Sequence, residues 1–180
     1  MGRLVAKKNF ESVIDLLPSV LETNPKVRYL IAGNGMELES MKEKVRLLKL
    51  EGNVRFITQF NNEKKKELFN LSYIFISPSV AVEGDLEGFG IVFVEAAAAG
   101  LAVIAGNSGG EESAVAEGEN AFIVKTNEEL REALMQLVQN AELRNSYSAA
   151  SKEFARKFDY ALLQQQYIEI LDKNLSLIHI

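Results

Sequence analysis

The 180-residue sequence predicts an α/β domain in which a doubly wound parallel sheet carries helices on both faces. Short apolar segments alternate with longer segments of helical periodicity along the whole chain. Glycine, proline or polar residues separate these segments, and we find no internal repeat or low-complexity linker. The composition fits this class, since 47% of the residues are hydrophobic and 25% are charged.

Composition and charge exclude several classes of function. The formal net charge of −5 argues against a nucleic-acid-binding protein. Because there is no cysteine and the single histidine is the penultimate residue, thiolate metal sites and histidine-based catalytic triads are excluded within this chain. The longest apolar run, residues 91–106, is interrupted by Glu95 and falls short of a membrane span. We therefore expect a cytoplasmic location.

Three strand and helix pairs are predicted in the first half of the chain. Residues 2–5 are typical of the end of a strand that runs into a basic loop. Apolar residues then recur at helical spacing over residues 10–21, with Asn9 as a candidate N-cap. The further predicted elements are strands over 27–32, 54–58 and 73–76 and helices over 36–48 and 62–71. We expect the run Lys64-Lys65-Lys66 in the last helix to be solvated surface.

The second half is organised around an apolar helix predicted over residues 91–99. An acidic loop precedes it, followed by Gly88 and Gly90, which free the backbone for unusual angles and for close approach of a ligand. Gly109-Gly110 is expected to open a turn into a short helical piece. The remaining predicted elements are strands over 101–105 and 121–124 and helices over 127–140, 142–157 and 160–173.

Glu87 and Glu95 are the candidate functional acids of this region, with seven residues between them. Eight helical residues rise roughly 12 Å, which suits two carboxylates that accept hydrogen bonds from the two sugars of a nucleotide-sugar. The first N–H groups of the 91–99 helix lack intrahelical partners and could bind an anion. A single glutamate usually lies on a solvated face, but Glu95 has apolar neighbours all round and needs a partner. We favour a functional role.

Arg3 and Lys8 flank a strand end at the expected carboxyl edge of the sheet, where open α/β sheets bind ligands. Two cations there suit a diphosphate, although either alone would be an ordinary surface charge. Gly33-Asn34-Gly35 lies between a strand and a helix, but Leu38 stands where a dinucleotide fingerprint needs its third glycine. A dehydrogenase is therefore the least favoured enzyme class.

Taken together and in their order along the chain, several short motifs resemble the C-terminal half of retaining glycosyltransferases of the GT-B type, the glycosyl transferases group 1 family. The motifs that carry the resemblance are Gly2-Arg3-Leu4 with Lys8, Gly33-Asn34-Gly35, Val54-Arg55-Phe56, Pro78-Ser79, Glu87-Gly88-Phe89-Gly90 with Glu95-Ala96, Gly100, and Gly109-Gly110. The resemblance covers about residues 2–173 and is closest to bacterial mannosyltransferases that act on phosphatidylinositol. It implies a Rossmann-like fold whose first strand is truncated here.

The resemblance implies catalytic roles for Arg3, Lys8 and Glu87, the first two at the donor's diphosphate and the third at hydroxyls of the transferred sugar. Glu95 would bind the ribose hydroxyls, and residues 56–60 would lie near the base. The remaining implied donor-binding residues are Gly33, Gly35, Phe56, Phe60, Pro78, Ser79, Gly88, Phe89 and Gly90. The donor would be a GDP- or UDP-sugar, and the resemblance implies no cofactor and no metal ion.

Four positions depart from the family pattern: Thr58 replaces a glycine, Ala102 a proline, Ser113 an acidic residue that Glu111 and Glu112 precede, and Ala121 a glycine. These departures bear on base and sugar preference, because none falls among Arg3, Lys8, Glu87 and Glu95.

We expect residues 1–174 to form the donor-binding domain of a larger enzyme. Residues 175–180 look like the translation of a transposon end used in preparing sequencing libraries, and we expect them to be a non-native tail. An acceptor glycan or lipid would bind through the missing N-terminal domain, so this chain alone is expected to be inactive. The intact protein could associate peripherally with the inner face of the membrane.

Two alternatives stay open at this point. A nucleotide-sugar 2-epimerase would have the same architecture but would need residues that move a proton at the sugar. A non-catalytic nucleotide-sugar-binding module would keep the fold alone, which the intact set of Arg3, Lys8, Glu87 and Glu95 disfavours.

Overall fold

The computed structural model describes residues 1–82 and 88–175. The strands are β1 (Tyr29–Ala32), β2 (Val54–Ile57), β3 (Ile74–Ser77), β4 (Ala102–Gly106) and β5 (Ala121–Val124). The α-helices are α1 (Phe10–Thr23), α2 (Leu38–Leu47), α3 (Asn62–Asn70), α4 (Ile91–Ala98), α5 (Asn127–Gln139), α6 (Ala141–Arg156) and α7 (Tyr160–Leu175). Short 3₁₀ turns occupy Ala6–Lys8 and Gly110–Ala114. From residue 10 onward these elements confirm the predicted ones, with ends that differ by at most two residues, whereas residues 2–5, expected to end a strand, are not part of a strand.

All strand pairs in the described residues are parallel, as predicted. β1 pairs with β2, with Tyr29 opposite Val54. β4 lies between β3 and β5, with Ile74 opposite Ala102 and Val103 opposite Ala121. The fold is a parallel α/β architecture flanked by helices, which confirms the predicted class.

Two apolar clusters cover the two faces of the sheets. In β4, Ala102 and Ile104 belong to the cluster that contains α1, α2 and α5. Val103 and Ala105, which point to the opposite face, belong to the cluster that contains α4. Every residue of β4 is fully buried, which explains its continuous apolar sequence.

Local sequence signals explain where the helices begin. Thr126 and Glu129 form a capping box at the start of α5, and the side chain of Asn140 accepts a hydrogen bond from Leu143 N at the start of α6. Asn9 precedes α1 as predicted, but its backbone is left-handed, with φ of 50°, and its side chain makes no cap hydrogen bond. Asn9 Oδ1 instead accepts a hydrogen bond from the hydroxyl of Ser12 at 2.5 Å.

Within the described ranges, β1 and β3 form no strand pair, so the strands make two separate sheets. Gly2 N donates to Ala32 O and Leu4 N donates to Asn34 O, each at 2.9 Å, so residues 2–4 run along the edge of β1 that faces away from β2. Val80 N donates to Lys7 O at 2.9 Å. The segment expected to end a strand thus joins the two sheets at their carboxyl edges.

The helices of the described ranges are all too short or too polar to cross a membrane.

Candidate functional site

A cleft with a volume of about 780 Å³ opens in the part of the chain that the structure describes. It lies beyond the carboxyl ends of β1 and β2 and is bounded on the other side by α3 and α4. Its lining residues are Met1, Gly2, Arg3, Val5, Lys7, Lys8, Gly33, Asn34, Thr58, Gln59, Phe60, Lys65, Val92 and Glu95. This is the edge of an open α/β sheet where ligands bind.

One wall of the cleft is cationic. The 3₁₀ turn of Ala6–Lys8 is closed by hydrogen bonds from Lys8 N to Val5 O and from Asn9 N to Ala6 O, which brings consecutive lysines to the cleft. A Cβ added to Gly2 would lie 3.8 Å from Lys8 Cε, so the Lys8 side chain runs back beside Gly2. Burial, and then the charge of Lys8, lower the pKa of the Met1 amino group to about 5.

Gly33 and Gly35 allow this wall to approach β1. A Cβ on Gly33 would collide with the carbonyl oxygen of Gly2, and one on Gly35 would collide with that of Leu4. Gly33 also has a φ of 152°, which residues with side chains rarely adopt. Gly33-Asn34-Gly35 therefore provides a close backbone contact that carries Arg3 and Lys8 to the end of the strand.

The opposite wall carries Glu95, from the second turn of α4. Lys65 Nζ lies 2.5 Å from Glu95 Oε1, and the two side chains are 24% and 35% exposed. The expectation that all three lysines of α3 are solvated surface was therefore wrong for Lys65. Glu95 was expected to need a partner among its apolar sequence neighbours, and the half-buried carboxylate is indeed paired with a cation from α3.

The cleft brings together Arg3, Lys8, Gly33, Phe60 and Glu95 among the residues singled out from the sequence. Glu87 lies outside the described residues. Phe56 is in β2 and packs against the first apolar cluster, so it stands behind the lining residues.

Pro78 and Ser79 line a separate cavity of about 200 Å³ beside the start of α5. They lie against Gly106, because a Cβ on Gly106 would collide with the backbone of Ser79. The hydroxyl groups of Ser77 and Ser79 are buried and have no hydrogen-bond partner in the described part of the chain.

Gly88, Phe89 and Gly90 lead into α4 and are not among the residues that line the cleft. Gly90 has a φ of 73°, and Phe93 N donates to Gly90 O at 2.9 Å to start the helix. Phe89 is exposed on one side, and its ring lies 5.5 Å from that of Phe158.

Thr58 and Gln59 line the cleft directly after β2, within the segment 56–60 that was expected near the base. Sequence reasoning missed Lys65 as a lining residue. No sequence pattern around Lys65 indicates that it lines the cleft, because its position there depends on the packing of α3 beside α4.

The chemistry of the cleft favours an anionic ligand. Its described lining contains the cations of Arg3, Lys7, Lys8 and Lys65 and the carboxylate of Glu95. No three histidine, cysteine, aspartate or glutamate side chains of residues 1–82 and 88–175 lie close enough together to hold a metal ion.

Comparison with known sequences agrees with the geometry. Residues 1–154 match the family described as glycosyl transferases group 1. The chain is 29% identical to phosphatidyl-myo-inositol mannosyltransferase of Mycobacterium leprae, over 92% of this chain and 43% of that protein. It is also 29% identical to the GDP-mannose-dependent monoacylated α-(1-6)-phosphatidylinositol monomannoside mannosyltransferase of Corynebacterium glutamicum, over 96% of this chain and 46% of that protein. The chain thus spans less than half the length of these relatives.

Solved structures show the same fold. The C-terminal domain of LpcC, a glycosyl transferase group 1 protein of Francisella tularensis, superposes with a TM-score of 0.77 at 21% identity over 87% of this chain and 82% of that domain. Anabaena Alr3699/HepE, solved in complex with UDP, superposes with a TM-score of 0.80 at 24% identity over 96% of this chain and 48% of that protein. The chain belongs to the glycosyl transferases group 1 family and has the fold of a GT-B glycosyltransferase domain.

Proposed function

We propose that this chain binds the nucleotide-sugar donor of a retaining, metal-independent glycosyltransferase. The observation that carries the proposal is the convergence of Arg3, Lys8 and Glu95 on one cleft at the carboxyl edge of the sheet. Packing alone does not require two cations and a carboxylate there, and none of these three residues is fully buried.

The cationic wall binds the diphosphate in this proposal. The guanidinium of Arg3 forks onto phosphate oxygens, and the ammonium of Lys8 acts as a compact charge. When the bond between the sugar and the diphosphate breaks, negative charge grows on the leaving phosphate. Cations that are already in place stabilise that charge and lower the barrier, which is the role that a metal ion has in other enzymes.

Glu95 accepts hydrogen bonds from the ribose hydroxyls, and Glu87 from hydroxyls of the transferred sugar. Gly33 lines the cleft and lets the cationic wall lie against β1. The backbone N–H groups of Phe89 and Gly90, at the start of α4, add donors for the phosphate and sugar. Phe60 and Gln59, which also line the cleft, lie beside the base in this proposal.

The transferred sugar and the acceptor are proposed from the relatives. The Corynebacterium glutamicum relative is named for GDP-mannose, so GDP-mannose is the first donor to test, with a UDP-sugar as the second. Relatives named for phosphatidylinositol support a lipid or glycan acceptor and peripheral association with the inner face of the membrane. A further domain would bind that acceptor.

Calorimetric titration of the 180-residue chain with GDP, UDP and ADP tests the donor site, after circular dichroism has shown that the chain is folded. We expect one nucleotide to bind with micromolar affinity and Glu95→Ala to weaken this binding at least about tenfold. Glu153→Ala, on the exposed face of α6, is the matched control and should bind as the wild type does. A folded chain that binds none of the three nucleotides would contradict the proposal.

A further inference from the structure

Lys65 differs from the lysines beside it on α3. The side chain of Asn61 accepts a hydrogen bond from Lys64 N at 2.9 Å and fixes the first turn of the helix. Lys64 Nζ then pairs with Glu67 on the same helix at 2.6 Å, where both side chains are at least 49% exposed. One residue further on, a rotation of about 100° turns Lys65 away from that surface and into the cleft.

The contact made by Lys65 joins two helices. Its Nζ lies 2.5 Å from Glu95 Oε1, across 30 positions of sequence. This is a charge-assisted hydrogen bond between partly buried groups, and such bonds restrict the rotamers of both side chains. Because both groups keep contact with solvent, the pair contributes little to the stability of the fold.

Lys65 engages only one of the two carboxylate oxygens. Among the described residues, it is the only group that hydrogen-bonds to the Glu95 carboxylate. Oε2 therefore keeps its acceptor capacity in a cleft that Glu95 lines.

We infer that Lys65 is a positioning residue for the donor's ribose: it holds Oε1 of Glu95 so that Oε2 is presented to the vicinal hydroxyls. The inference rests on the proposed donor site. A carboxylate that is already oriented loses less side-chain entropy when the ribose binds, and this smaller entropy loss increases the affinity. Lys65 acts through Glu95 and has no contact with the ribose itself.

A different role would be direct binding of the diphosphate, because Lys65 shares the cleft with Arg3 and Lys8. The two roles make different predictions about ligand chemistry. A nucleotide without the 2′ and 3′ hydroxyls still has its diphosphate. If Lys65 acts through Glu95, its contribution to the affinity is lost with this ligand, whereas a direct contact with the diphosphate would remain.

The test is calorimetric titration of the wild-type chain and of Lys65→Met with GDP and with 2′,3′-dideoxy-GDP, or with the corresponding uridine pair if UDP binds more tightly. We expect Lys65→Met to weaken binding of the ribonucleotide about tenfold, as loss of one charge-assisted contact does, and binding of the dideoxynucleotide less than twofold. Lys65→Arg should restore most of the loss.

Lys64→Met removes the same charge from the surface of α3 and should leave both affinities unchanged. In a Glu95→Gln background, Lys65→Met should have no further effect.

Equal losses for the two ligands would overturn the inference in favour of direct diphosphate binding. Unchanged affinities in Lys65→Met, with a wild-type chain that binds GDP, would overturn the inference and leave the proposed function standing. A folded wild-type chain that binds no nucleoside diphosphate would overturn both. Lys65→Gln, which keeps a polar side chain, is the second variant if Lys65→Met does not fold.

Discussion

The backbone of Gly110 lies directly against Gly88: a Cβ added to Gly110 would be 2.5 Å from the Gly88 carbonyl oxygen and 3.1 Å from Phe89 N. The turn after β4 thus supports the loop that leads into α4. The two glycine motifs are distant in sequence, but they form one backbone contact beside the proposed donor site.

Gly110→Ala should push this contact apart, since backbone atoms cannot move aside as the end of a flexible side chain can. We expect a loss of about 1–3 kcal/mol in the free energy of unfolding, together with weaker nucleotide binding. Urea denaturation and calorimetry measure the two effects. Gly52→Ala is the control, because nothing lies within 4 Å of a Cβ at that position. Equal stability of the two variants would refute the predicted clash.

Glu111 is fully buried in the same turn, and it accepts hydrogen bonds from the hydroxyl of Ser108 at 2.5 Å and from Ser108 N at 3.3 Å. Glu111→Gln replaces one acceptor with an NH₂ group that faces a donor. We expect the free energy of unfolding to fall by about 1–3 kcal/mol. The matched change at its exposed neighbour, Glu112→Gln, should leave the denaturation midpoint unchanged. A neutral Glu111→Gln would mean that the buried carboxylate is dispensable.

Lys49 follows the C-terminal end of α2 and has a left-handed backbone, with a φ of 56°. Lys49 N donates to Arg46 O and Leu50 N donates to Val45 O, which is the hydrogen-bond pattern of a Schellman motif. Glycine adopts this conformation without the steric cost that a Cβ imposes. We expect Lys49→Gly to raise the free energy of unfolding by up to about 1 kcal/mol, measured by thermal and urea denaturation. Lys49→Ala keeps the Cβ and should bring no gain.

Tyr29 gives the protein a dependence on alkaline pH. Burial raises the pKa of its phenol above the ordinary value of about 10. Above pH 10 the unfolded chain releases this proton while the folded chain keeps it, so stability falls with rising pH, by about 1.4 kcal/mol per pH unit for one such group. Tyr29→Phe should remove this part of the slope in denaturation curves recorded between pH 9 and 11. Tyr160→Phe, at an exposed position, should leave the slope as it is.

The helices and strands could be predicted from the sequence because each of them has its own characteristic pattern of apolar residues. The apolar run of β4 predicts a strand buried on both faces, and the period of α1 predicts its buried side. Backbone contacts such as that of Gly33 with Gly2 could not be derived in this way, since they depend on which loops meet.

The candidate site was predictable in part. Arg3, Lys8 and Glu95 could be found from residue type and position, because strand ends and helix starts have fixed places in a parallel fold. The pairing of Lys65 with Glu95 depends on how two helices pack, and nothing in the lysine run distinguishes its middle member. Likewise, the sequence shows two adjacent acids at 111 and 112, and only the packing decides which one is buried.

The absence of a β1–β3 pair among the described residues means that no continuous backbone ladder joins the two sheets. Side-chain packing and the segment near Gly2 hold them together, and hydrophobic packing weakens on cooling. The proposed ligand site draws Gly33 and Phe60 from one side of this seam and Glu95 from the other. A bound nucleotide would therefore cross-link the two parts, slow the hydrogen exchange of both together, and protect the domain most in the cold.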